Sequence, residues 1–343
     1  GDRGMTFTFP KVRHKYSLFK LEVEMGTIKN YPLPVDWAIK NFKLSSAYSR
    51  PGDFRPYPWQ IEILNSILYF SSIIICACTR LGKSLLAEIM CAYIIDCMPM
   101  NGMFCYAKRE TVQDVFQDRI EPMIKDIPAI RKYWNGQDGR ITKKKISLNH
   151  MTLRVASAEV KSDIASHGAG LIYLDEVSKY RVKRGFHPVE AMKRRQDDYK
   201  ILGRHRSILV SSPEEEGDCL SQEMFRPGVI NCAPHYPCPH CGEHQVFTSK
   251  QIFEVPNKDG VCDENPDRIR REQAARYECA FCKKEITNSQ RIDLLSRPPV
   301  YADKREVVKK KRRNHRQAEM RYHFVSTRQV HGPFFHLVGI LGA

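Results

Sequence analysis

The residues with the plainest chemical meaning are Gly82, Lys83 and Ser84, in the stretch Ser72–Glu88 (SIIICACTRLGKSLLAE). A glycine, a lysine and a hydroxyl in succession, between a short apolar run and a helical pattern, suit a phosphate loop. Backbone N–H groups from Cys78 through Thr79, Arg80, Leu81 and Gly82 can cradle phosphate oxygens, with the positive end of a helix dipole behind them. Lys83 then reaches the β- and γ-phosphates, and the Ser84 hydroxyl ligates Mg²⁺. The pattern GxxxxGKS asks for glycine at position 77, where this chain has Ala77. A GKS tripeptide also occurs in ordinary turns, so the reading depends on partners further along the chain.

Two carboxylates supply them. Leu171–Glu176 (LIYLDE) reads as a buried strand ending in Asp175 and Glu176, the Walker B form. Asp175, at the strand's carboxyl end, would hold Mg²⁺ through water opposite Ser84, and Glu176 would polarise the attacking water as general base. Open α/β sheets place their sites at such strand ends. Ser207–Ser212 (SILVSS) is a further strand before Pro213. Ser211 and Ser212 either sense the γ-phosphate or only form the turn. Gln60 opens a helix ahead of the loop; its amide offers the donor and acceptor that an adenine edge matches, while its spacing equally suits a surface glutamine.

A second constellation has metal-ligand spacing. Cys238-Pro-His-Cys241-Gly and Cys279-Ala-Phe-Cys282 each put two thiolates on a tight turn, and together they supply a tetrahedral site for structural Zn²⁺. Gly242 helps the first turn close. A redox pair would be expected beside a βαβ pattern, which is not evident here. His235, His240 and His244 are nearby alternatives that a four-cysteine site does not need. Scaffolding is the first role expected of this module, with DNA contact secondary.

The elements that must position these groups are legible in outline. Ile73–Cys76 and Met103–Ala107 are short buried strands. A helix begins near Trp59 with Ile61, Leu64, Ile67 and Leu68 on its buried face, and Arg109–Asp126 reads as one amphipathic helix through Val112, Val115, Phe116, Ile120 and Ile124. Lys143–Ser157 reads as a hairpin turning at Asn149 and His150. The segment around Asp263–Arg276 has room for an extra helix. Cys76, Cys78, Cys91, Cys97 and Cys105 sit in or beside apolar segments and read as small core residues.

With 343 residues, 42% hydrophobic and 27% charged, the chain can bury a sizeable core. Its net charge of +16 and the nucleotide signature together point to a nucleic-acid partner. Twelve cysteines without a secretory signal suit a reducing compartment, and no apolar run is long enough to span a bilayer. Gly1–Lys43 reads as an arm of short elements, its cations either solvated or touching DNA. The block Lys309, Lys310, Lys311, Arg312, Arg313 and Arg316 either neutralises phosphates or is a solvated linker.

Taken in order, these segments resemble the large terminase subunits of tailed bacteriophages, lambda-like branch. The likeness rests on ACTRLGKS with Arg80 and without the first glycine, DRIEPMIKDIP (Asp118–Pro128), KSDIASHGAGLIYLDEVSKY (Lys161–Tyr180), LVSSPEEEGDC (Leu209–Cys219), CPHCGEHQVF (Cys238–Phe247) and YECAFCKKEI (Tyr277–Ile286), and runs from about Arg55 to Gly339. It implies an α/β fold: an ASCE-type P-loop NTPase sheet flanked by helices, with a zinc-ribbon-like four-cysteine subdomain. It implies an ATPase motor with ATP, Mg²⁺ and structural Zn²⁺, moving double-stranded DNA into a procapsid in the cytoplasm of the infected host cell. Portal protein, small terminase subunit and a homo-oligomeric ring would be partners, and no membrane. Gln60 would contact adenine and Arg80 would stabilise transition-state charge. Ser211 and Ser212 would couple hydrolysis to motion. The expected organisation is 1–54 arm, 55–230 ATPase core, 231–295 zinc-binding subdomain and 296–343 basic linker. The family's RNase H-like nuclease would begin beyond; after Arg328 no cluster of acidic residues on a strand suggests it. Arg204 and Arg206, ahead of the last core strand, are candidates for acting in trans.

The competing reading is a helicase-like nucleic-acid remodelling ATPase with a zinc module, which normally needs a second motor lobe that 343 residues leave little space for. A non-enzymatic zinc-containing DNA-binding protein is disfavoured by intact Lys83, Ser84, Asp175 and Glu176.

Overall fold

A computed structural model describes residues 31–303, except 45–47, 49–50, 135, 137–140, 143, 166, 228, 249–250 and 263–264, together with the backbone of 333–337. Most of the expected arm and the basic block after residue 303 lie outside the described residues.

The strands in chain order are β1 (Lys43–Leu44), β2 (Gly52–Asp53), β3 (Ser72–Ala77), β4 (Gly102–Tyr106), β5 (Ile141–Thr142), β6 (Lys145–Ser147), β7 (Thr152–Ser157), β8 (Leu171–Asp175), β9 (Arg206–Ser211), β10 (Ile230–Pro237), β11 (His244–Gln245), β12 (Ile252–Glu254), β13 (Ala275–Glu278), β14 (Glu285–Ile286), β15 (Val300–Asp303) and β16 (Pro333–Leu337). The central sheet has eleven strands in the order β11-β10-β16-β3-β9-β8-β4-β7-β6-β5, with β15 added on β10. From β10 to β7 every neighbouring pair is parallel. β3, β4 and β8 read as apolar runs because both faces of a parallel sheet are covered, and β4 and β8 are buried along their whole length. β9 stands between the phosphate-loop strand β3 and the acid-ended strand β8, the additional strand that an ASCE arrangement has.

The helix Lys83–Cys97 is buried without interruption from Leu86 to Ile95. The sheet covers one side, and the helices Pro34–Asn41, Pro58–Asn65 and Pro128–Arg131 cover the other. Burial all round, rather than along one stripe, explains why Leu, Ala, Ile, Met and Cys fill the middle of this helix. In the helix Pro58–Asn65, Ile63 and Leu64 are fully buried, whereas Ile61, and Leu68 just beyond, are half-buried. Cys78 and Cys97 are likewise only partly buried, unlike Cys76, Cys91 and Cys105.

The expected helix Arg109–Asp126 is three pieces: α-helix to Val115, a π-turn at Phe116–Ile120, and α-helix from Glu121. Pro122 supplies the reason. It has no N–H to continue an α ladder and its ring would meet a carbonyl one turn back, so the backbone widens ahead of it. The hairpin expected at Lys143–Ser157 is present as β6 and β7, paired antiparallel around residues 148–151.

The sheet's hydrogen bonding runs across two of the expected boundaries. β10 begins at Ile230 in the central sheet and its far end pairs with β11, so one strand belongs both to the sheet and to the cysteine hairpin. β15 and β16, after residue 296, also join the sheet. β15 is further tied to the core by Tyr301, whose hydroxyl donates to the Trp59 carbonyl at 2.8 Å. Within the expected arm, the helix Pro34–Asn41 is packed on the core, with the Trp37 indole donating to Asp96 at 2.8 Å. The extra helix expected near Asp263–Arg276 is Pro266–Glu272, capped by Asn265.

Candidate active site and metal centre

β3 ends at Ala77 and the helix begins at Lys83, so residues 78–82 form the loop between them. Gly82 takes the N-cap position with φ +74°, and Arg80 has φ +66°. Left-handed backbone costs a residue with a Cβ on the order of 1–2 kcal/mol, so the Arg80 conformation is sustained by the loop around it. No side chain caps this helix, and its first turn has no acidic residue. The N–H groups of that turn are therefore open to an anion, which is the fit a nucleotide phosphate requires. Arg80 and Thr79 are exposed, while Leu81, Gly82, Lys83 and Ser84 are half-buried.

The sheet brings Ser84 and Asp175 together across 91 residues: Ser84 Oγ donates to Asp175 Oδ1 at 3.2 Å. Asp175 is buried at the end of β8, and that burial pushes its carboxyl above the usual range, against the opposing pull of Arg119. Glu176, one residue on, turns out of the strand with φ +54° and is half-exposed. Its N–H donates to Asp175 Oδ1 at 3.1 Å, and Lys179 Nζ pairs with its Oε1 at 3.0 Å.

Ser211, at the end of β9, does not present its hydroxyl to the loop. It is buried, accepts the Ser178 N–H at 3.1 Å and touches the Ser178 hydroxyl. Ser178 lies in the one-turn 3₁₀ helix Val177–Lys179 that follows Glu176, so Ser211 fixes the backbone that carries Glu176. Ser212 is half-buried. Gln60 is buried too. Its Oε1 accepts the Tyr57 N–H at 2.9 Å, closing a capping box, and its Nε2 lies 3.7 Å from where a Cβ on Gly82 would stand. The structure thus puts Gln60 against the phosphate loop, with its oxygen engaged in its own helix.

Arg204 and Arg206 lie at the opposite end of the sheet. Arg206 opens β9, donates from Nε to the Ile67 carbonyl at 3.0 Å and from Nη1 to the His205 carbonyl at 2.8 Å. Arg204 Nη2 reaches the Pro99 carbonyl at 3.4 Å.

Sequence reasoning missed a charged layer beneath the loop. Glu88 is one helical turn below Ser84 on the same face and is 6% exposed. Arg119, from the π-turn, pairs with its Oε1 at 3.1 Å, and the Tyr48 hydroxyl donates to Oε2. Burial lifts the Glu88 carboxyl to about 7, with Arg119 and Tyr48 opposing the rise. The available signal was a lone glutamate in the apolar run LLAEIM. It required knowing that every side of this helix is covered.

The four cysteines converge. Cys238, Cys241, Cys279 and Cys282 have their Sγ atoms within 4.8 Å of one another. Cys238–Cys282 are 3.9 Å apart and Cys241–Cys279 are 3.8 Å apart. A tetrahedron with zinc–sulfur bonds of about 2.3 Å has edges of about 3.8 Å, so the donor set fits Zn²⁺. The two turns are built alike. Cys238 N–H donates to the Glu243 carbonyl at 2.9 Å and Cys279 N–H to the Lys284 carbonyl at 3.0 Å; the return bonds come from Gly242 and Lys283. Both of those residues are left-handed, at φ +74° and φ +61°. The backbone N–H groups of His240 and Phe281 each donate to a cysteine sulfur at 3.4 Å, as thiolates prefer. His240 Nε2 lies 2.7 Å from the Glu285 carbonyl and His235 is buried with Nδ1 on the Ala233 carbonyl, so neither of these rings is turned into the cluster.

Among the described residues no helix is long and apolar enough to cross a membrane. The profile of the family described as phage terminase large subunit gpA, ATPase domain, matches residues 48–297. A curated relative, the large subunit of terminase from Enterobacteria phage P21, is 25% identical over 232 residues; the match covers 63% of this chain and 35% of that protein. The chain thus spans about a third of the length of this relative. Among solved structures, the HK97 bacteriophage large terminase is 18% identical with a TM-score of 0.44, over 55% of this chain and 39% of that one. The Thermus phage P74-26 large terminase ATPase domain is 13% identical with a TM-score of 0.38, over 57% and 78%. The match to the family profile, over well more than half of the residues, places this chain in the gpA family of phage terminase large-subunit ATPase domains.

Proposed function

We propose that this chain is the ATP-hydrolysing motor part of a viral DNA-packaging terminase. The observation that carries the reading is the 3.2 Å contact between Ser84 and Asp175, formed beside a helix start that no side chain caps. In this reading the loop Thr79–Gly82 holds nucleotide phosphates through backbone N–H groups, Lys83 neutralises the β- and γ-phosphates, and Arg80 faces the charge that develops on transfer. Ser84 and Asp175 hold Mg²⁺, which when bound neutralises the phosphate oxygens. Glu176 orients and deprotonates the attacking water, its backbone steadied by Ser178 and Ser211. Gln60 lies against the loop, where it supports the turn and borders the nucleotide.

The four cysteines hold structural Zn²⁺ and brace a ribbon grown from the end of β10. The proposed organisation keeps an ATPase core followed by this subdomain, with the sheet shared through β10, β15 and β16. Double-stranded DNA is the proposed substrate of movement, in keeping with the net charge of +16. A portal protein, a small terminase subunit and further copies of this chain in a ring are the proposed partners, in the cytoplasm of the infected cell.

The test is ATP hydrolysis by the purified chain with and without duplex DNA, beside Glu176→Gln. Loss of the base lowers turnover by about 10²–10⁴-fold. Equal turnover by the variant would remove Glu176 from the mechanism, and strand separation of a forked duplex would favour a helicase.

A further inference from the structure

The helix that carries Gln60 is held from far away in the sequence. Tyr301 lies on β15, beyond the residues 48–297 that the family profile matches, and is 3% exposed. β15 pairs antiparallel with β10, Tyr301 opposite Pro234, so its backbone is fixed on the central sheet. From there the Tyr301 hydroxyl donates to the Trp59 carbonyl at 2.8 Å, across 242 residues of sequence. A carbonyl oxygen has two lone pairs, so it can take this donor and keep its place in the helix ladder. The Tyr301 backbone N–H serves the Glu62 carboxylate, three residues further along the same helix. One residue of β15 thus pins the helix Pro58–Asn65 near its start at two points.

That first turn carries Gln60. Gln60 Oε1 accepts the Tyr57 N–H at 2.9 Å, so the side chain is locked to the start of its own helix and moves with it. The other end of the amide is turned to the phosphate loop, with Nε2 at 3.7 Å from where a Cβ on Gly82 would stand. Gly82 is the left-handed N-cap of the helix Lys83–Cys97, and no side chain caps that helix. The loop therefore leans on Gln60. Trp59, Gln60 and Tyr301 are all buried, and close-packed neighbours pass a displacement on rather than absorb it. A shift of the Gln60 turn reaches Gly82, Lys83 and Ser84 by contact.

We propose that Tyr301 is a positioning residue for the phosphate loop. Through the Trp59 carbonyl it fixes the turn that carries Gln60, and through Gln60 it fixes the backbone of Gly82, where nucleotide phosphate is received. A strand that follows the cysteine hairpin in sequence thereby completes a site whose other parts lie between Gln60 and Glu176. The proposal rests on the reading of residues 78–84 as a phosphate loop.

The test is equilibrium binding of ATP with excess Mg²⁺ to the full chain, well below the thermal midpoint of every variant. Tyr301→Phe removes only the hydroxyl and leaves the ring in the core. It lowers ATP affinity by about two- to tenfold, the range that loss of one hydrogen bond allows. Gln60→Met also lowers affinity, and the double variant loses no more than Gln60→Met alone, because Tyr301 acts through Gln60. Unchanged ATP affinity in Tyr301→Phe, even with a lower thermal midpoint, makes Tyr301 a core residue only and overturns the proposal. Losses that add in the double variant overturn it as well. Lys83→Ala separates the two claims. If it binds ATP as the natural chain does, the phosphate-loop reading itself fails. If it loses ATP while Tyr301→Phe retains full affinity, only the role of Tyr301 fails.

Discussion

At Gly82 and at Gly242 the chain makes the same left-handed turn, φ +74° in both, at the edge of two very different sites. The first opens the phosphate loop and the second closes a cysteine knuckle. Around Gly82 the backbone donors are left open, Arg80 and Glu176 are also left-handed, and the oxygen groups come from the helix start and the end of β8. Around Gly242 the donors are consumed within the turn, and the four sulfurs already stand at tetrahedral spacing. One site keeps unsatisfied groups for a ligand that comes and goes. The other is closed on itself, as the proposed resident ion requires.

The largest effect that would sharpen this contrast belongs to the closed site. Its buried core is small: Tyr236, Phe247, Tyr277, Ile286 and Leu294 with two of the cysteines. Cys238→Ser, or a strong chelator, removes on the order of 10 kcal/mol of metal-derived folding free energy. Zinc content falls to near zero and limited proteolysis opens the chain between β11 and β13, while ATP affinity is retained. Loss of ATP affinity together with zinc would break the separation of the two regions.

A smaller effect is written into the layer beneath the phosphate loop. Glu88 is ordinarily acidic near 4.5 but stands at about 7 in the fold, chiefly through burial. The folded state therefore holds a proton that the unfolded state has released, and stability falls as pH rises from about 4.5 through about 7. The span is up to about 3 kcal/mol. In metal- and nucleotide-free protein, urea midpoints between pH 5 and pH 8 should decline, and Glu88→Gln should flatten that decline. A decline that persists in the variant would assign it to other groups.

The smallest effect compares the two knuckles. Lys283 occupies the place that Gly242 has in the first, at φ +61°. Lys283→Gly relieves left-handed strain and should raise stability by about 1 kcal/mol in thermal denaturation. An equal loss would mean that the Lys283 side chain, which pairs with Glu278 at 3.2 Å, matters more than its backbone.

The same contrast governs how much is legible in the sequence alone. The cysteine ligands arrive in local pairs, so spacing places them, and the fold brings the pairs together. Lys83 and Ser84 are legible because they open a helix shortly after an apolar strand, and Asp175 and Glu176 because they stand at the end of another. What stays hidden depends on neighbours far away in sequence. Ser211 holds the Glu176 backbone, and Gln60 spends its oxygen on Tyr57. The Glu88–Arg119 pair joins a helix to a π-turn that periodicity presents as continuous α-helix. Strand order is equally hidden: nothing in Ile230–Pro237 announces that it lies two places from β3, or that it continues into the cysteine hairpin.

Whether Ser84 and Asp175 form one Mg²⁺–nucleotide site is decided most sharply by a double-mutant cycle read as the Mg²⁺-dependent part of ATP affinity. Ser84→Ala and Asp175→Asn should each abolish most of the difference between affinity in Mg²⁺ and affinity in EDTA, and the double variant should lose no more than either single one. Additive losses, or a Mg²⁺ dependence that survives both substitutions, would mean that the two residues do not share an ion.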